Sequence, residues 1–337
     1  MNDEDIHKII FSKKIPGSHG EFDLKETHIS WILLHGKFAF KIKKPVRLPF
    51  LDFSTLHHRK FFCEREITLN SRFSKGIYFK VVPVKKYNNC ISIGERKGEI
   101  IDYAVMMKRL NSQKQMDFML EENKVTKIYI SKLAKKISLF HKKALIIEND
   151  FNASTFQDLF IELSFYKEFI KEHLGSVYYQ IVSKAEKKSE SFLNNNKKLL
   201  NDRVKKGLVR DCHGDLHSRN IFLYASPILF DCIEFNDEYR YIDVLYEIAF
   251  LCMDLDSYGR FNLSTLFRKH YLSDFGLRMN KEELQLFYYY KSCRANIRAK
   301  VNIIKALEIK DKDYRFENIL SEIKIYLDLI KLYNSYY

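Results

Sequence analysis

One stretch of the chain, residues 209–235, constrains the fold more than any other. It reads VRDCHGDLHSRNIFLYASPILFDCIEF and holds more short polar and ionisable residues between apolar runs than the rest of the sequence. The runs IFLY and ILF flank a turn at residues 224–227, which predicts an antiparallel hairpin. We expect Ile221 to pair with Phe230 across this hairpin.

That register places two oxygen-bearing side chains next to each other at the open end of the hairpin. Asn220 then lies beside Asp231, because opposed residues on antiparallel strands have Cα atoms ~4.5 to 5.5 Å apart. An amide oxygen and a carboxylate suit Mg²⁺, which prefers oxygen ligands. An ionised carboxylate in an apolar strand also needs a partner or a metal to offset its desolvation. Asp215, five residues before Asn220, can face the same point.

The N-terminal third of the chain predicts a small sheet with one helix. Residues 28–43, HISWILLHGKFAFKIK, form a hairpin with its turn at residues 35–37. In FAFKIK the two-residue period places Ala39, Lys41 and Lys43 on one face. Three further elements complete this region: a helix over 54–73 and strands over 78–84 and 102–110.

Beyond residue 110 the apolar residues recur at helical spacing. Gly276 is expected to end the fifth of the helices in this region. The predicted fold class is α+β, with a small N-terminal sheet lobe over residues 1–110 and a larger, mostly helical lobe over residues 111–337. The predicted helices cover 126–144, 155–173, 176–200, 240–256, 260–275, 281–307 and 313–335.

The hairpin segment resembles a known family. HGDLHSRN followed by ILFD has the spacing of the protein-kinase loop H-R-D-L-x-x-x-N, with Gly214 in place of the arginine. It closely resembles the loop of the aminoglycoside phosphotransferase and choline kinase group, H-G-D-x-x-x-x-N. Three segments look like an uncharacterised bacterial branch of that group: THISWILLHGKFAFKIKKPV, FLDFSTLHHRKFFCEREITLN and FDCIEFNDEYRYIDVLYEIAFLCMDLD. In many members of that branch a P-loop kinase domain follows. No G-x-x-x-x-G-K-[ST] occurs here, so that domain is expected to be absent.

The resemblance implies a bilobal protein-kinase-like fold and a phosphotransferase that uses ATP and Mg²⁺. Its acceptor would be a hydroxyl group of a small molecule. In that scheme Asp215 accepts the proton of the acceptor hydroxyl or orients that hydroxyl, while Asn220 and Asp231 bind the Mg²⁺ that bridges the ATP phosphates.

The resemblance also implies residues that bind the nucleotide. Lys41 matches the lysine of the kinase motif V-A-I-K. Glu66 in the next helix is its predicted ion-pair partner, with Glu64 in reserve. Ala39 lies on the same face as Lys41 and would line the adenine pocket. Adenine would hydrogen-bond main-chain groups of the hinge around Met107.

One departure from the kinase pattern concerns the loop that covers the phosphates. No G-x-G occurs in the chain, whereas the resemblance allows a short serine-containing loop instead. Thr27, His28 and Ser30 are the candidates for this cover.

Four residues around the catalytic loop have two interpretations each. His213 and His217 are either supporting loop histidines or, with Asp215, an H-x-D-x-H metal site, for which no second histidine cluster offers further ligands. Asp243 either caps the apolar helix that it opens or braces the backbone of the catalytic loop. Glu234 either supports the metal or is solvated.

The acceptor site is predicted from a basic stripe. In YYYKSCRANIRAKVNIIK the side chains of Lys291, Arg294 and Arg298 share one helical face, with Lys305 seven residues further on. This stripe is either a solvated face or the lining of a pocket in which Arg294 and Arg298 recognise an anionic acceptor.

Composition decides between several other classes of protein. The surplus of 57 Lys and Arg over 43 Asp and Glu, +14 in net charge, favours anionic partners. The basic residues are spread along the chain without a nucleic-acid-binding module, so no nucleic acid is expected. No run of ~18 to 20 apolar residues and no signal peptide occurs, which indicates a cytoplasmic protein without a membrane partner. The sequence specifies no oligomeric state.

Two alternative functions remain at this stage. One is a protein kinase, although the dozen residues from Asp231 to Asp243 are few for a peptide-docking activation segment. The other is a nucleotide-binding pseudokinase or regulatory module, against which stand the intact Lys41, Asp215 and Asn220 together with Asp231.

Overall fold

The computed structural model divides the chain into two compact units. The first, called here the sheet unit, comprises Met1–Phe118 and Asn220–Tyr239, and the second, the helical unit, comprises Met119–Arg219 and Arg240–Tyr337. The structure describes residues 1–16, 22–95, 97–149, 152–309 and 314–337.

A six-stranded antiparallel sheet, in the order β1-β2-β3-β8-β6-β7, forms the main sheet of the described part of the sheet unit. A short pair, β4 and β5, and the hairpin β10–β11 accompany it. Its helices are α1 Asp3–Ser12 and α2 Leu56–Ser71, while α3 Met116–Glu121 spans the residue at which the chain leaves the unit. The strands are β1 Phe22–Glu26, β2 Ser30–His35, β3 Phe38–Lys43, β4 Arg47–Leu48, β5 Leu51–Asp52, β6 Tyr78–Tyr87, β7 Cys90–Ile93, β8 Glu99–Lys108, β10 Ile221–Phe222 and β11 Ile228–Leu229.

The predicted hairpin over residues 28–43 is confirmed. His35 pairs with Phe38 across a two-residue turn in which Gly36 has a φ of 53°. Alternate residues of β3 enter different apolar clusters, as the two-residue period predicts. Phe40 packs in a cluster that also contains Ile6 of α1, whereas Ala39 packs with Cys63 of α2.

Two elements at the N-terminus, α1 and β1, are missing from the sequence-based prediction. Helix α1 begins with a capping box between Asn2 and Asp5. The indole Nε1–H of Trp31 donates to the carboxylate of Asp3 at 2.8 Å. This tertiary contact with β2 holds the helix in place, and a local pattern does not report such a contact.

The hairpin β10–β11 forms, but its register differs by one residue from the prediction. Ile221 pairs with Leu229 instead of Phe230. Asp231 has a φ of 61°, in the left-handed region, so the strand ends before it. The main-chain carbonyl of Asn220 consequently accepts the N–H of Phe230 at 3.1 Å, instead of lying opposite Asp231.

The hairpin segment 220–239 belongs to the sheet unit, whereas the sequence analysis places it in the C-terminal lobe. Ile228 and Phe230 pack against the cluster that contains Ala39 and Cys63. Ser74 also receives the N–H of Leu229 at 3.1 Å. These contacts give the segment its place beside α2 and the sheet.

The helical unit contains the predicted helices with two interruptions and one later start: residues 241–243 of the helix predicted over 240–256 form a strand, and the helix begins at Val244. The helix predicted over 155–173 is broken at residues 165–166, and the one predicted over 176–200 is interrupted at Asn196. Gly276 ends α10 with a φ of 83°, as predicted. Strands β9 Val209–Asp211 and β12 Tyr241–Asp243 pair within this unit. Its helices are α4 Lys127–Lys143, α5 Ala153–Ser164, α6 Lys167–Leu174, α7 Ser176–Asn195, α8 Lys197–Lys205, α9 Val244–Ser257, α10 Phe261–Phe275, α11 Lys281–Leu307 and α12 Tyr314–Tyr333.

Among the helices that the structure describes, none combines the length and the apolar character that crossing a lipid bilayer requires.

Candidate functional site

Lys41 links two acidic residues in the sheet unit. Its Nζ lies 2.9 Å from Oε1 of Glu66 in α2 and 2.6 Å from Oδ1 of Asp231, which follows β11. Burial opposes the charge of Lys41, but the carboxylates of Asp231 and Glu66 outweigh it and raise the pKa of Lys41 well above its usual value. Lys41 is therefore a fixed cation at this point of the sheet.

A second lysine of the same strand binds the same glutamate. Lys43 Nζ lies 2.7 Å from Oε2 of Glu66 and also donates to Oε1 of Glu234. Lys43 and Glu234 are both buried, so the solvated interpretation of Glu234 is replaced by a buried ion pair. Burial would raise the pKa of Glu66, whereas Lys41 and Lys43 lower it to about 2.

Asp231 is held by its backbone as well as by Lys41. Its N–H donates to the hydroxyl of Tyr78 at 3.0 Å, and the next N–H, of Cys232, donates to Oδ1 of Asn70 at 3.0 Å. The Asp231 side chain is 40% exposed. A carboxylate fixed in a left-handed backbone conformation and open to solvent is typical of a functional position.

The predicted nucleotide residues Lys41, Glu66, Ala39, Ser30 and Met107 are all buried. Ala39 pairs with Met107, and both side chains are buried in one apolar cluster. The N–H of Lys108 donates to Ile77, and that of Arg109 donates to Lys37. The N–H groups of Lys108 and Arg109, which follow Met107, are therefore already bonded to main-chain carbonyls of the protein.

Ser30 does not lie where the predicted phosphate cover requires. Its side chain is fully buried, and its Oγ has no hydrogen-bond partner among the residues that the structure describes. Thr27 and His28, in the turn between β1 and β2, are the exposed neighbours. Thr27 Oγ1 accepts the N–H of Ser30 at 3.0 Å, which closes the turn.

In the helical unit, Asp215 lies in the loop after β9 and contacts His217. His217 Nδ1 accepts the N–H of Arg219 at 3.2 Å, so its Nε2 bears the proton and donates to Asp215 Oδ2 at 3.2 Å. Burial opposes ionisation of Asp215. The electrostatic interaction and hydrogen bond with His217, followed by the interactions with His213 and Arg298, outweigh this effect and hold its pKa below the usual range.

The backbone of this loop is held by a residue that the sequence analysis missed. Glu247 Oε1 accepts the N–H of His213 at 2.7 Å, and Gly214 donates to the same carboxylate at 3.2 Å. Asp254 Oδ2 accepts the N–H of Ser218 at 2.7 Å. Both acids lie in α9, and residues 244–256 of that helix are buried. An ionisable residue inside an apolar helix needs a partner, and this was the signal available in the sequence.

Asp243 caps α9 and contacts an arginine. Its Oδ1 accepts the N–H of Leu245 at 2.7 Å, and Arg203 binds both carboxylate oxygens at 2.5 and 2.9 Å. The cap interpretation therefore applies. Glu247, which accepts the N–H groups of His213 and Gly214, fills the bracing role expected of Asp243.

The two arginines of the basic stripe have different surroundings. Arg294 is buried, with its guanidinium 3.7 Å from the centroid of the Tyr246 ring and 4.0 Å from Glu247. Arg294 is expected from the sequence to bind the acceptor substrate, but its stacking on Tyr246 and the nearby carboxylate of Glu247 hold it beside the loop instead. Arg298 instead interacts first with Tyr326, and also electrostatically with Asp254 and Asp215; among the described residues its Nε has no hydrogen-bond partner.

Among the described residues, no group of three or more His, Cys, Asp or Glu side chains is arranged to hold a metal ion. The H-x-D-x-H interpretation of the loop therefore gains no support. Mg²⁺ commonly binds one or two carboxylates together with substrate phosphates. A Mg²⁺ site made of one carboxylate, one amide and nucleotide oxygens therefore needs no group of three such side chains.

Comparison with known sequences gives relatives but no family. No family model matches the chain. It is 29% identical over 288 residues to uncharacterised proteins of Mycobacterium tuberculosis and Mycobacterium bovis. The alignment covers 84% of this chain and 55% of each relative, so the chain spans about half the length of the curated relatives it matches.

Comparison with solved structures shows the fold. The amicoumacin kinase hAmiN, solved with AMP-PNP, Ca²⁺ and its ligand Ami, has a TM-score of 0.57 at 11% identity, covering 98% of this chain and 94% of that one. Choline kinase from Cryptosporidium parvum scores 0.53 at 13% identity, covering 98% and 96%. An aminoglycoside phosphotransferase solved with GDP and kanamycin scores 0.52 at 12% identity, covering 97% of each chain. The predicted α+β kinase-like fold is confirmed.

Proposed function

We propose that this chain is a phosphotransferase that binds ATP with Mg²⁺ and phosphorylates a hydroxyl group of a small molecule. The observation that carries the proposal is the pair of contacts made by Lys41, to Glu66 and to Asp231. These residues lie 25 and 190 positions away along the chain. A strand lysine paired with a helix glutamate, next to an aspartate that binds metal, is the arrangement that kinases need in order to hold the ATP phosphates.

Two oxygen-bearing side chains of the sheet unit suit a hard divalent cation. Asp231 offers a partly exposed carboxylate, and Asn220 offers an amide oxygen in the same unit. These residues would hold Mg²⁺, which would neutralise charge on the phosphates of the bound nucleotide. Lys41 would donate to the same phosphates, and Glu66 orients Lys41 for that task.

Asp215 supplies the basic group on the acceptor side. The acceptor oxygen forms a bond to the γ-phosphorus, the bond to the β–γ bridging oxygen breaks, and the hydroxyl proton passes to Asp215. His217 keeps this carboxylate ionised and fixes its orientation by a hydrogen bond. Positioning and charge stabilisation supply most of the rate enhancement in such transfers.

The surroundings of Arg298 favour an anionic acceptor. Its guanidinium lies 5.8 Å from the centroid of the Tyr326 ring and also interacts electrostatically with Asp254 and Asp215, and within the described part of the chain one donor atom, Nε, lacks a partner. Lys305, one further position of the basic stripe, has a pKa lowered by burial and by the charges of Arg298 and Arg219. A phosphate or carboxylate on the acceptor would bind such a group by charge-assisted hydrogen bonds.

Two measurements test the proposed function in sequence. Calorimetry should show saturable binding of AMP-PNP that strengthens with Mg²⁺. A library of hydroxylated metabolites, divided into anionic, neutral and cationic sets, is then scored by ATP consumption after subtraction of the acceptor-free rate. Acceptor-dependent turnover that disappears in Asp215→Asn supports the proposal. Failure of the wild-type protein to bind AMP-PNP with any divalent cation would overturn it.

A further inference from the structure

Two lysines on one face of β3 share a single glutamate. Lys41 donates to Oε1 of Glu66 at 2.9 Å and Lys43 donates to Oε2 at 2.7 Å, so each carboxylate oxygen has its own lysine. The Glu66 side chain is 0% exposed. A kinase-like site needs only the first of these pairs, so Lys43 requires a separate explanation.

Lys43 also binds the segment that contains the proposed metal ligand. Its second acceptor is Glu234, three residues after Asp231. The side chains of Lys43 and Glu234 are 1% and 4% exposed, and Lys43 Nζ lies 4.9 Å from the centroid of the Phe53 ring. One strand therefore binds residues 231–234 at two points, through Lys41 at one end and Lys43 at the other.

The backbone of that segment needs such support. Asp231 has a φ of 61°, which is uncommon for a residue other than glycine and persists where the surrounding structure holds it. The charges are also unequal, because Lys41 and Lys43 face three carboxylates, those of Glu66, Asp231 and Glu234. The carboxylate that is open to solvent is that of Asp231, 40% exposed, whereas the other two are buried.

We infer that Lys43 and Glu234 are positioning residues of the metal–nucleotide site: their buried pair fixes residues 231–234 so that the Asp231 carboxylate is held ready for a divalent cation. The inference rests on the proposed function, because it takes Asp231 as a metal ligand. It adds two residues that act on the metal through Asp231 and on the nucleotide through Glu66.

Removing the pair in two ways separates positioning from bulk stability. Lys43→Met alone leaves Glu234 buried without its cation, and we expect the Tm to fall by roughly 5 to 15 °C. Lys43→Met combined with Glu234→Gln removes both charges together and should recover most of that loss, because a buried pair can be replaced without leaving an uncompensated charge. Glu234→Gln alone provides a variant that keeps a hydrogen-bond acceptor for Lys43.

The decisive measurement is binding, by calorimetry, of AMP-PNP with Mn²⁺ and without metal. Residues that hold a metal ligand in place typically change metal affinity by about 10- to 100-fold. The quantity compared is the ratio of the AMP-PNP affinity measured with Mn²⁺ to the AMP-PNP affinity measured without metal. We expect this ratio to fall about tenfold or more in the double variant and in Glu234→Gln, at a temperature where both variants are folded. The matched control is Arg65→Met with Asp237→Asn, which removes an ion pair between α2 and a residue of the hairpin segment 220–239 outside residues 231–234, and it should leave the ratio unchanged.

Each outcome decides the inference. A wild-type ratio in the folded double variant, or an equal loss in the Arg65 and Asp237 control, would show that the buried pair only stabilises the unit. A double variant as unstable as Lys43→Met would contradict the pairing itself. Absence of AMP-PNP binding by the wild-type protein would overturn the proposed function, and this inference with it.

Discussion

The carboxylate of Glu247 receives the backbone N–H of Gly214 at 3.2 Å from each of its two oxygens. The same carboxylate receives His213 N–H, so one side chain of α9 fixes the backbone just before Asp215. Glu247 therefore holds the loop backbone from outside the loop.

Replacing Glu247 by Gln should change how stability depends on pH. Burial raises the pKa of Glu247 from 4.5 to about 7. The charge of Arg294 and the two backbone N–H donors act in the opposite direction but do not outweigh burial. Between these pH values the folded protein keeps a proton that the unfolded chain releases. The free energy of unfolding therefore decreases as the pH rises through this range. At about 1.4 kcal/mol per pKa unit, the free energy of unfolding of the wild type should fall by roughly 3 kcal/mol relative to Glu247→Gln from pH 4.5 to 7.

Urea unfolding of both proteins at several pH values measures this difference. Glu282→Gln, at an exposed position of α11, is the control and should follow the wild type. A difference between wild type and Glu247→Gln that stays constant with pH would contradict the assignment.

Asp215→Asn should lower phosphoryl transfer by ~10² to 10⁴, the usual contribution of a general base. Because Asp215 acts on the acceptor hydroxyl, nucleotide affinity should stay within a few-fold of wild type. Steady-state turnover and AMP-PNP calorimetry measure the two quantities. Asp158→Asn, an exposed aspartate of α5, is the matched control. Near-normal turnover in Asp215→Asn would exclude the residue as the base.

His217→Ala should move the acid limb of the kcat/KM profile to higher pH. His217 donates to Asp215 and is the largest of the effects that lower the Asp215 pKa, so its loss raises that pKa and Asp215 protonates sooner as the pH falls. Solvent reaches 38% of the Asp215 side chain and moderates the shift. The comparison is with His57→Ala on the surface of α2, and coincident acid limbs in both variants would disprove the coupling.

Asp231→Asn should abolish the Mg²⁺-dependent part of the thermal shift produced by ATP. Asparagine tolerates the left-handed backbone at this position, so the variant removes charge without adding strain. Ligand at 100 times Kd stabilises the native state by about 2.7 kcal/mol, which a melting curve detects readily. Melting curves with ATP alone provide the reference. If the Mg²⁺ increment persists in Asp231→Asn, the metal lies elsewhere.

Arg298→Ala should change the KM for the acceptor, whereas Arg294→Ala should change the stability of the protein. Loss of a charge-assisted hydrogen bond from Arg298 costs ~1.5 to 3 kcal/mol and should raise the KM for an anionic acceptor about ten- to hundredfold without changing ATP affinity. Arg294→Ala should instead lower stability by about 2 kcal/mol, because Arg294 stacks on Tyr246 and lies near Glu247. An unchanged acceptor KM in Arg298→Ala would remove the argument for an anionic substrate.

Much of the fold could be predicted from local patterns. The hairpin turn at Gly36, the two faces of β3 and the bounds of α11 at Lys281–Leu307 follow the sequence closely. The pairing of Lys41 with Glu66 agrees with the pair chosen from the sequence. These features depend on side-chain periodicity and turn chemistry, which act over a few residues and can be read from the chain itself.

Tertiary structure decided the rest, because the deciding contacts join residues that are far apart in sequence. The register of β10–β11 depends on the left-handed backbone of Asp231, and Lys43 is distinguished from a solvated strand lysine only by Glu66 and Glu234. Likewise, Arg294 and Arg298 occupy one face of one helix, yet Tyr246 and Glu247 bury the first while the second interacts with Asp215. The sequence by itself determined which residues could be charged, apolar or helical. Burial and the position of the opposite charge, which only the folded chain supplies, determined which of those charges are fixed and to what they are bound.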